Sequence, residues 1–226
     1  MINDIGLRKE WDVSLDFINT LIAKEVLRFE LVQSDQDPAA PFVFHRSKLD
    51  TGVMINEIGR PLAERFLRIE AEINQKINTI VAPSYSGIGL AMSMAASLNR
   101  DFGRQVSFVF ERKGELKSDG FFTAPITGNC LVVDDMIRTG TSLRRVIERV
   151  RISGNVSGVL VALDRQRPGE IFPAISALQE IEKTLAVKTW RMVKLTDLLD
   201  ILKNHNELVN HYQSMVAYIK NHCIIY

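Results

Sequence analysis

Two adjacent acids, Asp134 and Asp135, follow the short apolar run Leu131-Val132-Val133 and lead into Met136-Ile137-Arg138-Thr139-Gly140-Thr141-Ser142. Beyond the loop, Leu143, Val146, Ile147 and Val150 recur at helical spacing, so the stretch predicts strand, loop and helix in that order. Backbone N–H groups at such a junction have no intrahelical partner and carry partial positive charge, which suits an anion. Thr139, Thr141 and Ser142 add hydroxyl donors, and Gly140 lets the backbone approach a phosphate closely. The two carboxylates would repel that phosphate, so they must face another group, such as the vicinal hydroxyls of a ribose. A phosphorylated ribose satisfies both halves of the pattern. The alternative is plainer: solvated acids at a strand end and a capping turn.

The rest of the chain supplies elements to hold that junction. It has 226 residues, 46% hydrophobic and 24% charged, enough to bury one substantial core as a single domain over residues 1–226. Net charge is +1 with the basic residues spread out, which argues against a nucleic-acid partner. Apolar runs fall short of the roughly 18 residues of a membrane span, and Met1 to Glu10 is polar rather than a leader. A soluble, cytoplasmic protein with no membrane partner is expected. Cys130 and Cys223 offer no disulfide framework. His205 and His211 are spaced poorly for two ligands on one helical face and are read as surface residues.

Helices are predicted over Asp12–Arg28, Glu57–Ile77, Ala91–Leu98, Ile175–Leu185, Thr196–Lys203 and Asn206–His222, beside the one after the acids. Strands are predicted over Pro41–His45, Thr79–Ala82, Val106–Phe110, Val156–Leu163 and Val187–Met192. Alternating strands and helices imply an α/β fold with a mostly parallel sheet covered on both faces, and ligands beyond the strand C-terminal ends. Two further junctions fall on that edge. Tyr85, Ser86 and Gly87 open a helix and can present N–H groups to an anion, while Glu111 to Gly120 is a charged, glycine-punctuated surface loop.

The run Val132 to Ser142 resembles the phosphoribosyl-pyrophosphate (PRPP) signature of type I phosphoribosyltransferases. Within that family the chain is most similar to orotate phosphoribosyltransferases, from about Asp16 onward, with Leu163-Asp164-Arg165-Gln166 as a second match. The resemblance implies that residues 12–52 form a hood over the base pocket and that about 53–226 form the core. It implies Mg²⁺ held mainly through PRPP, without a dedicated protein ligand, and a homodimer with shared active sites. Asp134 and Asp135 would hold the ribose, Met136 to Ser142 would complete the PRPP loop, and Tyr85, Ser86 and Gly87 would hold the pyrophosphate. Arg112, Lys113 and Lys117 would serve the pyrophosphate from the catalytic loop. Val43 and Phe44 would contact the base, and Arg165 its carboxylate, a planar anion that a guanidinium can bind through two parallel hydrogen bonds.

Several positions depart from the family pattern. Asp35 stands at or near a basic hood position, Ser86 replaces a lysine, and Arg138 replaces a small hydroxyl residue. Lys117 falls one residue late, and Ser118-Asp119 stand where a histidine is usual. Arg138 is therefore a candidate for both PRPP and acceptor contact. These losses of positive or proton-donating groups keep two alternatives open: a related transferase for another base, or a PRPP- or nucleotide-binding regulator with little turnover.

Overall fold

The computed structural model describes residues 8–31, 40–85, 87–112 and 120–226. Helix α1 (Glu10–Ala23) buries Val13, Phe17, Ile18 and Leu21 along one face. It stops short of the expected Arg28, because Glu25 takes a left-handed backbone with φ 56° and turns the chain. Val26 and Leu27, read from their spacing as helical, instead lead into strand β1 (Leu27–Arg28). Its antiparallel partner is β2 (Val43–Phe44), with Leu27 opposite Phe44. Pairing across this small sheet thus overrides the local helical pattern. A short 3-10 turn, Arg46–Lys48, follows β2.

Helix α2 (Gly52–Ile73) begins earlier than its apolar face suggested, because Thr51 caps it, accepting from the Met54 N–H at 3.2 Å. It ends before Ile77 at Asn74, a left-handed C-cap with φ 49°. The main sheet then assembles from β3 (Thr79–Ala82), β4 (Ser107–Phe110), β5 (Asn129–Ile137), β6 (Asn155–Asp164) and β7 (Lys188–Lys194). All neighbours are parallel in the order β4-β3-β5-β6-β7. Helices α3 (Ile88–Phe102), α4 (Thr141–Val150) and α5 (Ala177–Leu185) make the crossovers. Helices α6 (Asp197–Asn204) and α7 (Tyr212–His222), with a 3-10 turn Val209–His211 between them, complete the chain's described elements.

Side chains alternate across the sheet and build two cores. Ile80, Ala82, Leu131, Val133, Leu160 and Ala162 pack with α1, α2, α3, α6 and α7. Val81, Cys130, Val132, Val159 and Val161 pack with α4 and α5. The expected parallel α/β sheet covered on both faces is therefore present, and every βα loop of interest emerges at one edge. None of the described helices is long and apolar enough to cross a membrane. His205 is exposed as expected, whereas His211 is half-buried with its ring 6.1 Å from that of Phe29.

Candidate functional site

A cavity of about 420 Å³ opens at the C-terminal edge of the sheet, lined by Arg46, Ser84, Tyr85 and the continuous run Asp134 to Leu143. The β5 strand extends through both acids rather than ending before them. Along it Leu131 and Val133 face the first core and Cys130 and Val132 the second, yet Met136 then packs with the first and Ile137 with the second. Alternation has slipped by one residue across the acids. That slip lets two neighbouring carboxylates line one cavity instead of opposite faces. Both are buried, at 3% and 1% exposure. Asp134 Oδ1 accepts from the Asp135 N–H at 2.9 Å, and Asp135 Oδ1 from the Met136 N–H at 2.6 Å, so main-chain donors offset part of the cost of burying charge.

Beside the acids, α4 opens on Gly140, whose φ of 82° few side-chain-bearing residues adopt. No side chain caps this helix, so the N–H groups of its first turn remain for an anion. The Thr139 and Thr141 hydroxyls lie 2.9 Å apart at the same mouth. The two acids and the uncapped start of α4 thus line one cavity.

The β3–α3 junction forms another wall. Tyr85 has φ 66° and is 68% exposed, and Gly87 is the N-cap of α3. A Cβ on Gly87 would overlap the Val133 carbonyl oxygen and lie 3.3 Å from the Ala82 Cβ, so the loop needs glycine there to sit against β5. Ser84 Oγ donates to Glu111 Oε2 at 3.1 Å. Glu111, at the end of β4, is 2% exposed and also accepts from Arg145 Nε and Nη2 at 3.0 and 2.9 Å and from Arg149 Nη1 at 2.6 Å. One buried carboxylate therefore ties together the loops after β3 and β4 and helix α4. Burial pushes the Glu111 carboxyl up, but the hydrogen bonds and charges of Arg145, Ser84 and Arg149 outweigh it and hold the group below its ordinary value. Nothing in the sequence singled out Glu111, because its arginine partners lie more than thirty positions away along the chain.

Arg46 is the second residue that sequence reasoning missed. It sits on the 3-10 turn after β2, and its Nε donates to Asp135 Oδ2. Burial works against the Arg46 charge, yet the hydrogen bond to Asp135 and the charges of Asp135 and Asp134 prevail and raise its pKa further. Its partner Asp135 lies 89 positions along the chain, so no local signal marked it.

Arg165 lies outside this cavity. It follows β6, is 8% exposed, donates through Nη2 to the Tyr218 hydroxyl at 2.9 Å, and stacks its guanidinium 5.1 Å from the centre of the Phe42 ring. Asp164 Oδ1 accepts from the Gln166 N–H at 2.8 Å, which fixes the turn that presents Arg165. Val43 is half-buried and Phe44 buried within the β1–β2 pair, and neither lines the cavity of the paired acids. Arg138 does line it, whereas the Arg112 backbone N–H is bonded to Phe121 O at 2.8 Å. Ser86, Lys113 and Lys117, and also Asp35, lie outside the described residues. Two larger cavities, of about 510 and 490 Å³ beside Trp11, reach neither the acids nor the start of α4. Among the described residues, no group of three or more His, Cys, Asp or Glu side chains is placed to hold a metal ion.

Residues 50–168 match the phosphoribosyl transferase domain family. An orotate phosphoribosyltransferase of Marinobacter nauticus is 33% identical over 212 residues, covering 92% of this chain and 96% of that relative. One from Pseudomonas aeruginosa is 32% identical over 208 residues, covering 90% and 94%. In fold, the crystal structure of Francisella tularensis orotate phosphoribosyltransferase superposes with a TM-score of 0.71 at 20% identity, covering 92% of this chain and 98% of that one.

Proposed function

The chain belongs to the orotate phosphoribosyltransferases, and from that premise we propose that it transfers the 5-phosphoribosyl group of PRPP to orotate, giving orotidine 5′-monophosphate and pyrophosphate. The observation that carries this is the single cavity in which paired buried acids meet the uncapped N-terminus of α4. In the reaction the ribose C1–oxygen bond to pyrophosphate breaks, its electrons leaving with the pyrophosphate, and a C1–nitrogen bond to the base forms as that nitrogen's N–H proton is released. Positive charge develops at C1 and negative charge on the leaving group, so preorganised charges on both sides lower the barrier.

Asp134 and Asp135 take the ribose hydroxyls and face the cationic sugar, while Thr139 to Ser142 hold the 5′-phosphate. Tyr85, Ser86 and Gly87 cradle the pyrophosphate, with Arg112, Lys113 and Lys117 neutralising it. Removing one such donor costs about 2.7–4 kcal/mol of transition-state stabilisation. Hard carboxylate oxygens suit Mg²⁺, which would be held mainly through PRPP. When bound, Mg²⁺ neutralises charge on the pyrophosphate. Arg165, stacked on Phe42, takes the orotate carboxylate, with Val43 and Phe44 on the same acceptor side, and Arg138 reaches between PRPP and the base. A cytoplasmic homodimer with shared active sites completes the proposal.

An acceptor panel tests it. Pyrophosphate release from PRPP is expected with orotate, and not with uracil, which lacks the carboxylate, or with adenine. Arg165→Ala is expected to raise the KM for orotate while leaving that for PRPP. Equal turnover with adenine would overturn the assignment.

A further inference from the structure

Arg46 enters the cavity from outside the main sheet, on the turn after β2. Among the described residues lining that cavity, the cations are Arg46 and Arg138. Arg138 belongs to the β5–α4 loop, which holds the 5′-phosphate in the function proposed above. Arg46 lines the same cavity as Ser84 and Tyr85, neither of which contributes a cation. A pyrophosphate there meets two buried acids, and a cation beside them adds to Arg112, Lys113 and Lys117, which the function proposed above assigns to the same group.

The geometry of the pair suits that task. Asp135 is 1% exposed in its side chain, fixed by the Met136 N–H, and its other oxygen takes Arg46 Nε. The Arg46 side chain is 51% exposed, so its far end lies at the cavity mouth. A guanidinium held at Nε still carries its two Nη groups, a fork that matches two phosphate oxygens. Among the described residues, Asp135 is the only acceptor that guanidinium has.

We infer that Arg46 is a substrate-contacting residue: anchored by Nε on Asp135, it binds the pyrophosphate group of PRPP through its Nη atoms. Asp135 then has a second duty, as the positioning residue for that arginine. The inference rests on the phosphoribosyl-transfer reading, so its test uses a ligand that needs no acceptor.

The test is calorimetric titration of pyrophosphate with Mg²⁺ into the wild type, Arg46→Ala and Arg46→Lys, with melting curves to confirm folding. Arg46→Ala is expected to weaken pyrophosphate binding about tenfold to a hundredfold, the loss of a charged hydrogen-bonding partner. Arg46→Lys keeps the charge without the fork and is expected to recover only part of the loss, which still decides the matter if the alanine variant does not fold. Binding in Arg46→Ala as tight as the wild type, or tighter, would overturn the assignment and leave Arg46 as a counter-ion competing with the ligand. A lysine variant binding as well as the wild type would refute the bidentate contact. A wild type that binds no pyrophosphate would instead remove the transferase reading, and this inference with it.

Discussion

Replacing Glu111 by glutamine removes one charge and leaves the side-chain shape intact. The carboxylate accepts from Ser84, twice from Arg145 and once from Arg149, and an amide cannot accept on its nitrogen end. Breaking a buried ion pair by deleting one partner costs about 3–5 kcal/mol. Arg145 is 46% exposed and regains water, and Arg149 only 22%, so the first contributes little and the second most of the loss. A cost of about 2–3 kcal/mol follows for the amide. For a chain of this length each kcal/mol moves the Tm by about 2–4 °C, so Glu111→Gln is expected to melt about 4–12 °C lower at pH 7. The folded-state pKa of Glu111 is lowered, so its charge adds stability that is present above the unfolded value and lost as pH falls through the folded one. The gap between wild type and variant should therefore narrow in acid. Because Ser84 loses its anchor, the KM for PRPP should rise as well. Calorimetric melts at pH 7 and in acid check this; a gap below about 1 °C at pH 7, or one that does not narrow in acid, would refute the coupling.

Gly87→Ala places a methyl group against the Val133 carbonyl, so the loop must shift, and the expected result is a folded protein with a raised KM for PRPP and about 1–3 kcal/mol less stability. Wild-type kinetics would show that the close approach does not matter. Burial pushes the thiols of Cys130 and Cys223 up to about 11, so neither should be alkylated by iodoacetamide at pH 8 in the native protein, and both should be after denaturation. Stoichiometric labelling of Cys130 in the native protein, read by mass spectrometry, would contradict its burial.

The sequence carried its clearest information where chain neighbours are also structural neighbours. Asp134 to Ser142 lie in one continuous strand, loop and helix start, the order that their types and spacing predict. Parallel topology followed from alternating strand and helix patterns, since every buried strand reads as a short apolar run. Val26 and Leu27 misled because helical spacing continues through them, while the turn at Glu25 and the partner Phe44 are set by longer-range packing. Glu111 and Arg46 were illegible for the same reason: each gains its meaning from an ion pair made across the fold, and a charged residue read alone looks like solvated surface. The slip in alternation at the acids is likewise visible only once both cores are assigned.

The most direct test is pyrophosphate release from PRPP with Mg²⁺ and orotate, comparing the wild type with Asp134→Asn/Asp135→Asn. Turnover in the wild type, reduced by a factor on the order of 10² or more in the double variant, is the expected result. Binding of PRPP without any release of pyrophosphate, or a double variant as active as the wild type, would contradict an active site built on those two acids.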